Sequence, residues 1–455
     1  MNSLRIGPGI AELLAWLAGR SWLRYHKGMS RIDSIEIQPT GPLRANIRPP
    51  GSKSITNRAL VCAALAQGES LLTGALECDD TQVMIEGLRQ LGLPVDHDRI
   101  ARTLRVTGCD GHPPAASADM VLGNSGTTIR FLTAMVALGR GVYRLDGTPR
   151  MRERPIEDLL DALRQLGADA TSETGNGCPP VRVRAAGLPG GRAEVAGNLS
   201  SQFLSALLLA SPCAASDVVL AVHGELVSKP YVTMTLAVMR AFGVMTASDD
   251  FPLRVPAPQS YHGRIYAIEP DASAASYFFA AAAIAGGNVT VEGLSRNSLQ
   301  GDVAFCDCLR KMGCAVLEGD TQITVQGRPL RGIDVDMNAI SDTVQTLGAV
   351  ALFAEGPTTI CNVGHIRHKE TDRIAALATE LRKFGAEIDE RADGLRITPK
   401  PLHGAAIDTY DDHRMAMSMA LVGLVVPGVV IRDPRCTSKT YPNFFSDLAS
   451  LGQEM

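Results

Sequence analysis

One phrase recurs along the chain and limits its architecture more than any single motif. Leu88-Arg89-Gln90-Leu91-Gly92 returns as Leu163-Arg164-Gln165-Leu166-Gly167, Met239-Arg240-Ala241-Phe242-Gly243, Leu309-Arg310-Lys311-Met312-Gly313 and Leu381-Arg382-Lys383-Phe384-Gly385. A weaker copy, Leu448-Ala449-Ser450-Leu451-Gly452, closes the series. Each glycine stands where a helix that has just ended needs one, and the first five lead into short strand-like segments. Successive glycines are 75, 76, 70, 72 and 67 residues apart. One such phrase is an ordinary helix ending. Six in register spell six βα-rich units of about 70 residues each.

A second helical pattern, rich in Ala and Leu, precedes the phrase in every unit, at 57–65, 128–138, 202–209, 274–284, 344–352 and 414–422. Helices apolar on all sides are buried ones. Their N-terminal ends carry polar or charged residues, so several units can aim helix starts at shared space. A chain of 455 residues is too long for one core. Two groups of three units therefore predict two similar α/β domains with a cleft between them.

The net charge of −4 gives no general attraction to nucleic acid or anionic membrane, so any anion site must be a local gathering of Lys and Arg. Ten cysteines are scattered without C-x-x-C pairs, and Cys306-Asp307-Cys308 has no His cluster beside it. They read as free thiols in a reducing cytosol, with no disulfide or metal centre. Residues 10–23 form an apolar patch broken by Arg20, too short to span a bilayer. Residues 1–28 read as a dispensable extension. The apolar run 416–431 is interrupted by Pro427-Gly428, as a buried helix turning into a strand would be.

The chemistry gathers at helix starts. Pro49-Pro50-Gly51-Ser52-Lys53-Ser54 stops a strand and opens the 57–65 pattern, with Ser52 as a cap. Unpaired N–H groups, the dipole, Lys53, Ser54 and Arg58 one turn on make a seat for phosphate or carboxylate. It is not a Walker loop, whose spaced glycines are absent. Gly123-Asn124-Ser125-Gly126-Thr127-Thr128-Ile129-Arg130 is a second glycine-rich start, where Gly126 allows close approach. Arg150, Arg152 and Arg154 crowd into five positions, and Arg150 beside its turn proline is the strongest anion candidate, the other two reading as solvated.

Asn198-Leu199-Ser200-Ser201-Gln202 supplies more polar groups than one cap needs, and Val227-Ser228-Lys229-Pro230-Tyr231 repeats the device. His365-Ile366-Arg367-His368-Lys369-Glu370-Thr371-Asp372-Arg373 is the most charged segment and reads as a helix start. Lys369 and Arg373, four apart on one face, repel unless an anion joins them. Glu370 is a candidate acid or base, and Asp342 upstream a cap or a base. Arg414 and Lys439 complete a set of cations that, in an acidic protein, points to small, multiply charged anionic substrates.

Taken together and in order, these motifs resemble the 5-enolpyruvylshikimate-3-phosphate synthase family. The match rests on Gly51-Ser52-Lys53-Ser54 with Asn57-Arg58, Gly123-Asn124-Ser125-Gly126-Thr127, Pro149-Arg150-Met151-Arg152-Glu153-Arg154-Pro155 and Ser200-Ser201-Gln202. It continues through Lys369-Glu370-Thr371-Asp372-Arg373, Asp412-His413-Arg414 and Ser438-Lys439-Thr440. The resemblance implies two inside-out α/β domains, each of three βαβαββ repeats, with an interdomain active-site cleft. The chain crossings fall near Pro50 and near residues 266–270, so 29–50 and 268–455 form one discontinuous domain and 51–267 the other.

The resemblance also implies the reaction: transfer of the enolpyruvyl group of phosphoenolpyruvate to the 5-hydroxyl of shikimate 3-phosphate, through a tetrahedral intermediate, with no metal or cofactor. Lys53, Ser54, Arg58, Ser200, Ser201, Gln202, Ser228, Asp342 and Lys369 would hold shikimate 3-phosphate. Lys53, Gly126, Arg150, Gln202, Arg373, Arg414 and Lys439 would surround phosphoenolpyruvate. Asp342 would take the hydroxyl proton, and Glu370 with Lys53 would handle the proton at the methylene carbon. The expected protein is a cytoplasmic monomer of aromatic amino acid biosynthesis with no nucleic-acid or membrane partner.

Two residues depart from the family pattern. Phe131 stands where proline is frequent, bordering the region where glyphosate competes in the family, and His365 where asparagine is frequent. The related transferase acting on UDP-N-acetylglucosamine is the nearest rival, but it commonly has a Lys-Asn pair where Lys53-Ser54 stands here. A non-catalytic phospho-ligand binder is the other, and it would need neither Glu370 nor Asp342.

Overall fold

A computed structural model describes residues 33–246 and 251–452. The expectation for residues 1–28 lies outside the described residues. Among the described residues the six units emerge as six small sheets built to one plan, with one further two-stranded pairing of Leu330–Arg331 with Ala354–Glu355. In one, the spatial order is Ser117–Val121, Arg140–Asp146, Val181–Ala186, Asp169–Ser172. The first pair is parallel and the other two are antiparallel. The same order and directions hold for Asp334–Asp336, Thr358–Cys361, Gly394–Thr398 and Glu387–Arg391. Two three-stranded sheets keep the first part of the pattern, one built on Gly191–Ala196 and the other on Val429–Arg432. A parallel pair needs a crossover, which in four of these sheets is the buried helix.

Two sheets take their first strand from a distant part of the chain. Leu43–Ile47 pairs with Gly287–Glu292, and Ile265–Ala267 pairs with Glu69–Thr73. The chain therefore passes between the two groups of units twice, and the two passages hold each other. Ser52 N donates to Glu269 O at 2.8 Å, and Asp271 N donates to Pro50 O at 2.8 Å. A β-carbon on Gly51 would collide with the carbonyl of Gly74, so glycine is required where the strands pass.

Buried side chains form two clusters. One contains residues from Ile55 to Ile268, and the other joins Ile37 and Leu43 to residues from Ala272 to Leu451. The inner helices Lys53–Leu65, Gly126–Val136 and Ser201–Ala210 pack on one another in the first cluster. Ala272–Ala285, Val344–Ala351 and His413–Ala420 do so in the second. A buried hydroxyl ladder ties the second trio, Ser276 to Thr346 at 3.2 Å and Thr346 to Ser418 at 3.4 Å.

Five of the repeat glycines take the left-handed φ that ends a helix, from +82° at Gly92 to +119° at Gly313, and Gly452 does not. After Gly243 the chain reaches no described strand until Leu253–Val255, so the third copy departs from the others. Among the described residues no helix is long and apolar enough to cross a membrane.

Candidate functional site

The helix starts of both groups face one cleft, open to solvent. On one side, Ser52 caps the helix Lys53–Leu65 by accepting from Ile55 N at 3.4 Å. The amide of Lys53 donates to Asp271 Oδ2 at 3.0 Å, while Asp271 Oδ1 caps Ala274 N, so one carboxylate joins helix starts from both groups. Lys53 Nζ lies 3.2 Å from Asp80 Oδ2. Arg58 is buried among neutral acceptors: Thr235 Oγ1 at 2.7 Å, the Ser54 carbonyl at 2.9 Å, Ser205 Oγ at 3.3 Å and the Tyr231 carbonyl at 3.2 Å. Its guanidinium lies 5.3 Å from the ring centre of Phe131.

Asp342 organises the opposite wall. Its carboxylate accepts from Lys369 Nζ at 2.5 Å, Arg373 Nη1 at 3.3 Å, Arg414 Nη2 at 2.7 Å and Tyr231 OH at 3.2 Å. Glu370 accepts from Arg373 Nη2 at 2.8 Å and Lys439 Nζ at 3.1 Å. Asp412 accepts from Arg373 Nε at 2.7 Å and from the amide of Arg414, which its carboxylate caps. Arg373 thus touches three carboxylates and fixes their spacing.

The charge states follow. Burial opposes ionisation of Asp342, but Arg414, Lys369 and Arg373 outweigh it and hold the carboxyl well below its usual range. Glu370 is likewise driven down against its burial, by Lys439, Arg373 and Arg154. Burial works against the Lys53 cation, yet Asp80 and Glu370 leave its pKa raised. Lys369 moves down because burial exceeds the pull of Asp342. His413 is held neutral by burial beside Arg414 and Lys53, and burial with Lys369 lowers His365 to about 3.

Lys53, Ser54, Arg58, Gly126, Ser200, Ser201, Gln202, Ser228, Asp342, Lys369, Glu370, Arg373 and Arg414 all line this cleft. Lys439 and Arg150 stand behind its wall. Lys439 bridges Glu370 and the Asn124 carbonyl, 2.8 Å away. The Arg150 guanidinium donates to the carbonyls of Glu370 and Lys369, each at 3.1 Å, and to Glu153 at 2.8 Å. These contacts, with Ser438 on Asp79 and Ser228 on Asn338 and Ser341, draw the two groups of units together around the cleft.

Three readings need correction. Lys369 and Arg373 do not share a helix face. Asp372 caps the helix Arg373–Lys383 through Ala375 N, and the residues before it form the 3-10 turn Gly364–His368, so Asp342 is what brings the two cations together. Asp342 is not a cap, since the helix Val344–Ala351 begins from Thr343. Arg154 is not solvated. It is 4% exposed and lines the cleft, whereas Arg152 pairs with Asp146 and is half-exposed.

Asp80, Thr127, Tyr231 and His413 also line the cleft without having been singled out. Tyr231 could have been found, because it follows Pro230 in a helix start already marked. Nothing local to Asp80 marks it off from any acidic residue in a first turn.

The profile of one family, EPSP synthase (3-phosphoshikimate 1-carboxyvinyltransferase), matches residues 37–448. The 3-phosphoshikimate 1-carboxyvinyltransferase of Trichormus variabilis is 50% identical over 418 residues, covering 91% of this chain and 98% of its own. That of Shewanella sp. strain ANA-3 is 48% identical over 422 residues, with coverage of 92% and 99%. Among solved structures, the EPSP synthase of Acinetobacter baumannii superposes with a TM-score of 0.77 at 25% identity, covering 92% of this chain and 98% of that one.

Proposed function

The chain belongs to the EPSP synthase family, and from that premise we propose that it transfers the enolpyruvyl group of phosphoenolpyruvate to the 5-hydroxyl of shikimate 3-phosphate, releasing phosphate. The observation that carries this reading is the charge of the cleft. Lys53, Arg58, Arg130, Arg154, Lys369, Arg373 and Arg414 line it against only Asp80, Asp342 and Glu370, leaving four positive charges. The two substrates together bring roughly five to six negative charges, which repel one another until cations intervene. Seated side by side, they react as one positioned pair.

In the addition step the 5-hydroxyl oxygen bonds to C2 of phosphoenolpyruvate, its proton passes to Asp342, and the methylene carbon gains a proton. Lys53, cationic in this cleft, is suited to donate that proton, and Glu370, held ionised, is suited to take one back. Elimination then breaks the bond to the phosphate oxygen as Glu370 removes a proton from the new methyl group. Cations directed at the departing phosphate stabilise its charge as it grows. The depressed pKa of Asp342 makes it a weak base until substrate anions share Lys369, Arg373 and Arg414, which raises its basicity when it is needed.

Shikimate 3-phosphate lies against Ser54, Arg58, Ser200, Ser201, Gln202, Ser228 and Lys369, and phosphoenolpyruvate against Gly126, Arg373 and Arg414, with Arg150 and Lys439 behind. We take the domains as 29–50 with 268–455, and 51–267, a division that the two buried clusters support except at Ile268, which packs with 51–267. A monomer in a reducing cytoplasm fits ten cysteines that are all free. Phosphate release with both substrates tests the assignment. Release should require both, and Glu370→Gln should lose about 10²–10⁴-fold in turnover. Wild-type protein that binds both ligands without releasing phosphate would refute it.

A further inference from the structure

Asp302 has no part in the roles given above, yet it stands one side chain behind Asp342. It sits on the 3-10 turn Gly301–Ala304, 3% exposed and outside the lining of the cleft. Its Oδ2 accepts from Ser273 Oγ and, at 2.8 Å, from Tyr231 OH, while its Oδ1 is buried without a partner. Among the described residues those two hydroxyls are the only hydrogen-bond partners of this carboxylate. The same phenol lies 3.2 Å from Asp342 Oδ2. One hydroxyl from the helix Lys229–Ala241 thus stands between two carboxylates of the other group of units. A phenol has one hydrogen to donate. Turned to one carboxylate, it offers the other only lone pairs, which an ionised oxygen repels and a protonated one satisfies. The Asp342–Tyr231–Asp302 chain is therefore built to carry one proton between its two ends.

The two ends are unlike. Arg414, Lys369 and Arg373 hold Asp342 ionised, which makes it a poor resting place for a proton. Burial, and then the charge of Asp342, raise Asp302 above the usual carboxylate range against the pull of Ser273 and Arg414. Burial and both carboxylates push the Tyr231 phenol far up, so it keeps a hydrogen throughout. The charged groups facing Asp302 are thus Asp342 and, from the helix His413–Ala420, Arg414. The helix Ala272–Ala285 turns the neutral Ser273 toward it and Tyr277 toward Arg414, and Phe305–Met312 pairs Asp307 with Arg310.

We propose that Asp302 stores the 5-hydroxyl proton, passed to it from Asp342 through Tyr231. The O–H bond on Asp342 breaks as one forms on the Tyr231 oxygen, and the hydrogen that the phenol carried moves to Asp302 Oδ2. Asp342 is left ionised beside its three cations, and the reverse hops release the proton to solvent after the products leave. A base with a depressed pKa is thereby drawn forward by a more basic carboxylate behind it. Asp302 touches no substrate, so it is a positioning residue acting through Asp342. The proposal rests on the reading that Asp342 takes the hydroxyl proton.

Steady-state kinetics against pH test it. Asp302→Asn keeps an acceptor for both hydroxyls and refuses the proton. It should lower kcat about tenfold to a hundredfold, a part of the worth of general base catalysis, and leave both KM values within about twofold. The wild type should lose kcat as pH falls and Asp302 becomes protonated, and Asp302→Asn should lack that acid limb. Titration of the substrates is common to both proteins and cancels in the comparison. Tyr231→Phe should lower kcat by a similar factor in the wild type, but by less than about twofold in the Asp302→Asn background. An unchanged kcat, a persisting acid limb, additive losses or a loss taken in KM would overturn the proposal. Should Asp302→Asn not fold, Tyr231→Phe decides, since it too should lose at least about tenfold in kcat together with the acid limb, and normal kcat would overturn the relay. Near-normal turnover in Asp342→Asn would sink the reading of the base and the relay with it, whereas a crippled Asp342→Asn beside a fully active Asp302→Asn would overturn the relay alone.

Discussion

Replacing Asp342 with Asn removes one charge and keeps the shape, so its consequences can be worked out from the geometry. Asp342 is the shared counter-ion of Lys369, Arg373 and Arg414, all within 3.3 Å and all largely buried. Taking one partner out of a buried ion cluster costs about 3–5 kcal/mol, because the charges left behind have neither water nor a partner. Spread over a domain of this size, that lowers the melting temperature by about 10 °C. Turnover falls by about 10²–10⁴-fold if the carboxylate is the base for the 5-hydroxyl.

The two effects separate in one experiment. Shikimate 3-phosphate brings its own anions to the same cations, so it should raise the melting temperature of Asp342→Asn by more than it raises that of the wild type. Differential scanning fluorimetry with and without the ligand measures the first effect, and continuous phosphate detection the second. Near-normal turnover, or an unliganded variant as stable as the wild type, would refute the reasoning.

Lys53→Met should leave the fold intact, since the Lys53 amide and not its side chain ties the helix start to Asp271, and should lower turnover by at least about 100-fold in the phosphate assay. Phe131→Leu removes the ring beside Arg58 and should raise KM for shikimate 3-phosphate about threefold, with little change for phosphoenolpyruvate. An equal change in both would count against that link. His365 is neutral when folded, with its pKa lowered to about 3 by burial and then by Lys369. The unfolded chain therefore takes up a proton that the folded one refuses, and stability drains away as pH falls from about 6.5 toward 3. His365→Asn should flatten that part of a melting-temperature profile measured against pH.

Much of this architecture could be read from periodicity. The Leu-Arg-x-Leu-Gly phrase marks units because a helix that must reverse onto a strand needs a left-handed residue, and Gly92, Gly167, Gly313 and Gly385 supply it just before one. The inner helices were legible for the converse reason, since a helix such as Ala272–Ala285 has no polar face to turn toward water. The pairing of Leu43–Ile47 with Gly287–Glu292, strands more than two hundred residues apart, leaves no trace in local pattern, and the family resemblance implies only that both strands share one discontinuous domain.

The candidate site divides in the same way. Cations at helix starts announce themselves, because a charged residue beside an apolar run is conspicuous. Their partners do not. Lys369 was placed on a helix by spacing alone, and the Asp372 cap shows that the helix begins later. Arg154 looked like one more arginine in a basic turn, and only the fold shows that its guanidinium reaches inward over Gly126. Local sequence records which groups can carry a charge, but not which of them tertiary packing will bury.

The most direct test of the convergence of both groups of units on two anions is the structure of the ternary complex with shikimate 3-phosphate and an unreactive phosphoenolpyruvate analogue. The account predicts both ligands in the one cleft, touching Lys53 and Arg58 from one group and Lys369, Arg373 and Arg414 from the other. Ligands bound apart, or held by residues of one group alone, would contradict it.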